Sequence, residues 1–540
     1  MAELITPGLR ATGQATTGQA AISGQITSSG TYLDPLLRAL AGGGDQDAVV
    51  HGDQRMTYAQ AHEKVLRMAG ALLRCGLRRG DGVAIFVGNR PESVVLELAT
   101  HLIGCRLVFV IPEPGQGELR GFIDQADARA FVFDPGFGPR AQELAGQVRV
   151  AQVLSLGPSE AGTDLLPLME QARPVLPGVA IGQDDIVTVM YTGGTTGRSK
   201  LVTHGHLYYD VIALSARRRG AGNPGPRRPL VCTLVTHSSG HVSTITGLLT
   251  GATMLLNDDF DAGQALATIE RERADAISLT PPMLYEMLDH PACPARGDST
   301  LTGIFYGGAP IAPARLRQAI ERFGPVLRQS YGLTEAPFIT MIEPGEVDPD
   351  RPETLRTCGR ALPTMELEVR DDRGSQVPAG QVGEVYTRGL MMMTGYWGDP
   401  ERTGAALRDG WLRTGDLGYL DARGYLYLVD RRKDVIVTGT GSDNVYSRLL
   451  DDFLATLPGV HQAAAVGVPD DRWGEAVHVF VVPEPGAALS VAELTGRVVD
   501  ALGPVYEPQG ITFVPALPWT AVGKIDKKAL RVRHAAARSA

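Results

Sequence analysis

Helix-like and strand-like stretches alternate through roughly the first 330 residues, and this restricts the chain more than any other feature. "YAQAHEKVLRMAGALLRCG" spaces its apolar residues for one face of a helix, and "GDGVAIFVG" behind it reads as a buried strand. "PESVVLELATHLIGC" is helical again and "RLVFVIP" returns to strand; "QALATIERERAD" with "AISLT", and "PARLRQAIERFG" with "PVLRQSYG", repeat the scheme. A strand that re-enters a sheet in the same direction needs a crossover, usually a helix. The expected fold class is therefore α/β: a large N-terminal domain of helix-covered, mostly parallel sheets.

After about residue 360 the texture changes. "MELEVRDDRGSQVPAGQVGEVYTRG" and "GYLDARGYLYLVDRR" are strands punctuated by Gly and Asp-Arg-Gly turns, which predicts a small barrel-like β region. A charged break from Asp430 to Asp434 then separates two apolar strands. Beyond it, "AVHVFVVPEPG", "SVAELTGRVVDALG" and "ITFVPALP" describe a small α+β unit. A chain of 540 residues exceeds one ordinary core. The expected division is a loosely ordered leader over 1–30, a large domain over 31–430, a hinge over 431–434 and a small mobile C-terminal domain over 435–540.

Hydrophobic residues make up 44% and charged residues 21%, as in globular proteins, and the formal charge is −9, which argues against non-specific nucleic-acid binding. No apolar run reaches the length of a membrane span, and the N-terminus has no apolar signal core. The five cysteines, Cys75, Cys105, Cys232, Cys293 and Cys358, are scattered and odd in number. That fits a reducing compartment and a cytoplasmic protein, not a disulfide framework or a zinc site.

"YTGGTTGRSK", Tyr191 to Lys200, follows the strand-like "DIVTVM". Glycines allow close backbone approach, consecutive N–H groups form an anion nest, and threonine hydroxyls add donors, so the stretch fits a phosphate. It is neither a Walker loop nor GxGxxG, and alone it reads equally as a flexible polar loop. Five further stretches follow it: "YGGAP" (Tyr306 to Pro310), "YGLTE" (Tyr331 to Glu335), "GWLRTGDLGYLD" with Asp416, "DRRKD" with Arg431 and Lys433, and "PWTAVGKIDKKAL" with Lys524. Singly, Asp416 reads as a turn residue, Arg431 and Lys433 as a solvated charge run, Lys524 as a surface lysine. In this order over about 330 residues they resemble the acyl-adenylate-forming superfamily of acyl-CoA ligases, peptide-synthetase adenylation domains and firefly-type luciferases.

The resemblance, which runs from about residue 35 to the end, implies roles. Thr192, Gly193, Gly194, Thr195, Thr196, Gly197 and Lys200 match the loop that holds the β- and γ-phosphates of ATP. Gly308, Ala309, Pro310, Tyr331 and Gly332 match the adenine site, with Tyr331 the aromatic against the base. Thr334 matches a residue near the α-phosphate, and Glu335 the carboxylate associated with Mg²⁺. Asp416 and Arg431 match the ribose-binding pair, and Lys433 the hinge about which the small domain turns. Lys524 matches the lysine that enters the site during adenylation. With Lys524, Glu335 and Thr192 as the implied catalytic residues, the implied substrates and cofactors are ATP, Mg²⁺, coenzyme A and a carboxylic acid.

"TLVTHSSGHVSTI" has no acidic residue to pair an ammonium, so an α-amino acid would be poorly held. His237 matches the His or aromatic that gates the acyl pocket, and Gly240, Gly307 and Gly308 are expected to leave room for a bulky or long apolar acid. Two departures stand out. The phosphate loop ends "RSKLV" where the family has Pro-Lys-Gly. After the hinge, "TGTGSDNVYSRLLDD" carries about two extra residues before Asn444, with Ser447 in the Pro place and Leu449 in the Glu place. This segment, with Gly439, Gly441 and Asn444, matches the loop that helps form the pantetheine tunnel. The leading reading is an AMP-forming acyl-CoA synthetase. A half-reaction specialist, working with supplied acyl-adenylate or with a carrier protein in trans, stays open, as do a non-catalytic nucleotide- or acyl-binding protein and a homodimer.

Overall fold

The computed structural model describes residues 31–112, 116–179, 181–182, 185–192, 200–220, 226–438, 443–470, 474–519 and 524–539. The leader, the phosphate-loop residues Gly193, Gly194, Thr195, Thr196 and Gly197, and Gly439 and Gly441 lie outside this set. No described helix is long and apolar enough to cross a membrane.

The alternating pattern folds as the sequence predicts. "GVAIF", Gly82–Phe86, is buried at all five positions because both its edges are paired and helices cover the sheet. It runs parallel between Arg106–Phe109 and Ala128–Phe133 in an eight-stranded sheet. The helix Tyr58–Arg74 starts at a capping box made by Thr57 and Gln60, and it buries Ala61, Val65, Met68 and Leu72 at helical spacing. A second sheet, of nine strands, carries the parallel run Pro229–Val231, Ala276–Leu279, Gly303–Gly307 and Leu327–Leu333.

Each large sheet turns antiparallel at the edge that borders the active cleft. Ile186–Thr192 pairs with Lys200–Gly205, and Thr192 faces Lys200 in register, so both ends of the phosphate loop are fixed by one hairpin. Leu327–Leu333 pairs with Ala336–Ile342, which leaves Thr334 and Glu335 at the tip of a second hairpin. Tyr331 and Gly332 are thus part of the strand itself.

Met365–Arg370, Gly383–Gly389, Trp411–Leu420 and Leu426–Arg431 form a smaller antiparallel sheet, the β region expected from the Gly-rich turns. The C-terminal unit packs Val460–Asp470, Gly474–Pro483 and Gly510–Phe513 with three helices, Ser447–Leu454, Val491–Leu502 and Lys527–Ser539. Its buried clusters begin at Ile436, whereas those of the large unit reach no further than Leu428. Apolar packing is interrupted across the charged break.

Polar contacts span that break. Asp430 accepts from the Ser447 hydroxyl at 2.9 Å and from the Arg448 backbone N–H at 3.3 Å. It thereby caps a helix whose own N-cap residue, Tyr446, offers no side-chain bond. Lys527 donates to Ser447 Oγ at 2.7 Å and to Asp451 at 2.8 Å, and Arg531 reaches Asp434 at 3.2 Å. Burial pushes the Asp451 carboxyl up to about 6, against the pull of Lys527.

Candidate active site

One cleft of about 2990 Å³ lies between the two large sheets, the small β sheet and the C-terminal unit. Three groups of side chains meet there.

The first is built by strand register. Trp411–Leu420 and Leu426–Arg431 run antiparallel with Asp416 opposite Arg431, and Arg431 Nε lies 2.7 Å from Asp416 Oδ1. The Tyr331 hydroxyl donates to Asp416 Oδ2 at 2.6 Å. Burial, with the Asp416 charge beside it, raises the Tyr331 phenol well above its usual range, so it stays a donor. Asp416 is 4% exposed, and both its oxygens are oriented before any ligand arrives.

Lys200, Glu335 and Tyr396 form the second group. Lys200 Nζ lies 3.5 Å from Glu335 and 3.1 Å from the Tyr396 hydroxyl, which donates to Glu335 at 2.8 Å. The lysine also stands 4.9 Å from the centroid of the Tyr396 ring. Sequence reasoning missed Tyr396. It is brought in by a two-residue strand, Gly395–Tyr396, pairing with Val202 and Thr203 just past the phosphate loop. The only signal in the sequence was the "TGYW" stretch, a Gly beside two aromatics.

Lys524 enters from the C-terminal unit. Burial lowers its ammonium to about 8; Arg431 and Lys433 add to this, and Asp416 and Glu335 oppose it. His237 lies close enough to feel the Lys524 charge, though burial is the larger cause of its lowered value. His237 also caps the helix Ser238–Leu249, with its Nδ1 2.9 Å from Ser239 Oγ. Lys524, the Asp416–Arg431 pair and Glu335 therefore share one electrostatic neighbourhood.

Thr192, Gly307, Gly308, Ala309, Pro310, Gly332, Thr334 and Lys433 also line the cleft. Asn444 does not: it is exposed on the strand Asp443–Val445 opposite Val437. Gly240 is a correction to the sequence reading. A Cβ there would stand 2.2 Å from the Leu234 carbonyl oxygen, so the glycine serves a tight backbone approach and opens no acyl space. Gly307 is similarly constrained, by the Ser330 carbonyl at 2.7 Å. Gly308, at φ +83° with open space where its Cβ would stand, alone of the three leaves room.

Among the described residues no three His, Cys, Asp or Glu side chains group to hold a metal by themselves. Glu335, beside Lys200 and Tyr396 in the cleft, offers a single carboxylate, which suits Mg²⁺ because that ion draws most of its oxygens from phosphates and water.

The family profile described as AMP-binding enzyme matches residues 36–397, and that of the AMP-binding enzyme C-terminal domain matches residues 450–524. The chain belongs to the AMP-binding enzyme family. This AMP-binding enzyme is 34% identical to the medium/long-chain-fatty-acid–CoA ligase FadD8 of Mycobacterium tuberculosis, over 95% of its own length and 91% of the relative's. It is 33% identical to a feruloyl-CoA synthase of Amycolatopsis, over 90% and 95%. Among solved structures it is similar to the amide bond synthetase McbA of Marinactinospora thermotolerans, with TM-score 0.84, 37% identity, and coverage of 93% and 99%.

Proposed function

We propose that this AMP-binding enzyme is an ATP-dependent acid–thiol ligase that converts a carboxylic acid without an α-amino group to its acyl-adenylate and then to the thioester of coenzyme A. The observation that carries the reading is the meeting of Lys524, the Asp416–Arg431–Tyr331 group and the Lys200–Glu335–Tyr396 group in one cleft.

Asp416 takes the ribose hydroxyls, because its two oxygens are acceptors already aimed by Arg431 and Tyr331. Tyr331 and the edge from Gly308 to Pro310 flank the base. Lys200 and Thr192, at the feet of the phosphate hairpin, hold the β- and γ-phosphates. When bound, Mg²⁺ supplies charge neutralisation on the phosphates, and Glu335 is the residue that would hold it. A carboxylate oxygen of the acid then attacks the α-phosphorus. The bond to the bridging oxygen of the β-phosphate breaks, and pyrophosphate leaves. Lys524 places a fixed cation where negative charge gathers in that step, a contact whose loss typically costs on the order of 10²–10³ in rate. In the second step the thiolate of coenzyme A attacks the acyl carbon and AMP leaves. Lys433, in the segment that apolar packing leaves uncovered, is the pivot that lets the C-terminal unit turn between the steps.

A second reading concerns the acceptor alone. Ser447 and Leu449 depart from the family pattern in the segment associated with the thiol tunnel, and the amide bond synthetase is a near structural relative. In that reading an amine nitrogen attacks the acyl carbon of the same adenylate, AMP leaves and the nitrogen loses a proton to solvent. Mass spectrometry of products from an acid panel with ATP and Mg²⁺ tests both, run with coenzyme A, with a primary amine and with neither. Acyl-CoA from free acid supports the first reading. Amide with no acyl-CoA would replace it with the second, and an absence of acyl-AMP in every arm would overturn both.

A further inference from the structure

Beyond the adenylate centre the cleft runs on between the helix Ser238–Leu249, the facing helix His206–Gly220 and the strands of the nine-stranded sheet. The two walls differ. Ile212, Ala216, Val231 and Phe305 make one side mostly apolar, with Ser215 and Ser278 among them. The other presents Ser239, Ser243 and Thr246, then Thr250 just past the helix end, all lining the cavity at spacings of four, three and four. At ~1.5 Å rise per residue this edge extends over roughly 16 Å from the His237 end, where Lys524 lies, inward.

These hydroxyls are not all satisfied within the protein. Thr250 returns its proton to the Thr246 and Gly247 carbonyls, and Thr244, on the buried face, does so to Gly240. Ser243 has only a 3.4 Å contact to Ser278 Oγ, another residue of the lining. Among the described residues Thr246 Oγ1 makes no hydrogen bond. Thr236 lines the same cavity at 2% exposure, and its hydroxyl has no partner. A plain alkyl chain laid along this edge would strip water from Ser243 and Thr246 and leave Thr236 unpaired, and an unpaired buried polar group costs more than a hydrogen bond gains.

We propose that the acyl arm selects an elongated acid with hydrogen-bonding groups along one edge, such as hydroxyl, alkoxy or ring-heteroatom substituents, and an apolar opposite face, and that Thr236, Ser243 and Thr246 read those groups. The proposal rests on the acid-activating reading above. It refines the apolar acid expected from the sequence to a two-faced one.

The test uses matched acids: cinnamate with its ring-hydroxylated and ring-methoxylated derivatives, and decanoate with mid-chain hydroxydecanoates. Acid-dependent pyrophosphate release gives kcat/KM, and calorimetric titration of each acid without ATP gives binding. The full-length protein is compared with Thr236→Val, Ser243→Ala and Thr246→Val. We expect the substituted member of at least one pair to be preferred about tenfold or more, the discrimination of a single good hydrogen bond, and each substitution to shrink that ratio severalfold. A merely structural role would lower both members together and leave the ratio intact, which overturns the proposal, as does equal or better use of the unsubstituted acids. Pyrophosphate release without preference fails this inference and spares the ligase reading. Selective binding that the variants abolish, with no pyrophosphate from any acid, does the reverse. Neither binding nor release with any acid overturns both.

Discussion

At the scale of single residues, the site depends on groups held away from their ordinary behaviour. Lys524 is a half-buried ammonium whose proton is lost near pH 8 in the free enzyme, so its charge is present below that value and fades above it. The kcat/KM for ATP in acyl-AMP formation should therefore fall as pH rises through about 8. Lys524→Arg, which keeps its proton, should remove that fall whatever it does to the plateau. A pH profile with the same descending limb in both proteins would detach the limb from Lys524. Tyr331 does two things at once, lining the cleft and donating to Asp416. Tyr331→Phe keeps the ring and deletes a hydrogen bond to a charged group, a contact worth about 1.5–3 kcal/mol. The KM for ATP should rise by about tenfold or more, with the KM for the acid little affected. Equal changes in both constants would instead indicate a general disturbance of the cleft.

Elements carry the next layer. The helix Ser238–Leu249 walls the cleft on one face and is pinned on the other. His241 Nδ1 lies 2.8 Å from Glu97 and its Nε2 3.1 Å from the Tyr209 hydroxyl, in a fully buried setting. His241→Leu leaves Glu97 buried without its partner, a change that typically costs about 3–5 kcal/mol, and thermal or denaturant unfolding should report a loss of that order. The helix Ser447–Leu454 poses a different problem. Its cap is lent by Asp430, from the far side of the charged break, where the proposed function puts the pivot. Ser447→Pro suits the first helical position but deletes the hydroxyl that links Asp430 to Lys527. We expect single-turnover transfer from preformed acyl-adenylate to coenzyme A to quicken severalfold, at about 1 kcal/mol per hydrogen bond released. A slower transfer step would mean that the hydroxyl serves the thiol-accepting orientation instead.

For the whole molecule, two parallel sheets, a small antiparallel sheet and a C-terminal unit surround one cleft, and the sequence foretold that plan because alternating apolar periodicity is a local property. What it could not foretell was register. Asp416 and Arg431 stand in separate motifs, and only the pairing of their two strands makes them one ion pair. Tyr396 escaped notice because a two-residue strand, too short to leave a periodic trace, delivers it to Lys200 and Glu335. Gly240 was misread because a missing side chain looks the same whether it makes room for a ligand or for a carbonyl oxygen. Ser447 was visible as a departure from pattern, yet its partners Asp430 and Lys527 lie 17 and 80 residues away. The proposed function turns on Lys524, borne by the C-terminal unit, completing the adenylation centre. The direct measurement is acyl-AMP formation from acid and ATP by wild type and Lys524→Ala, beside acyl-CoA formation from supplied acyl-adenylate by the same two proteins. The variant is expected to lose the first by on the order of 10²–10³ or more and to keep the second. Adenylation that survives the substitution, or both steps lost together in a folded protein, would contradict it.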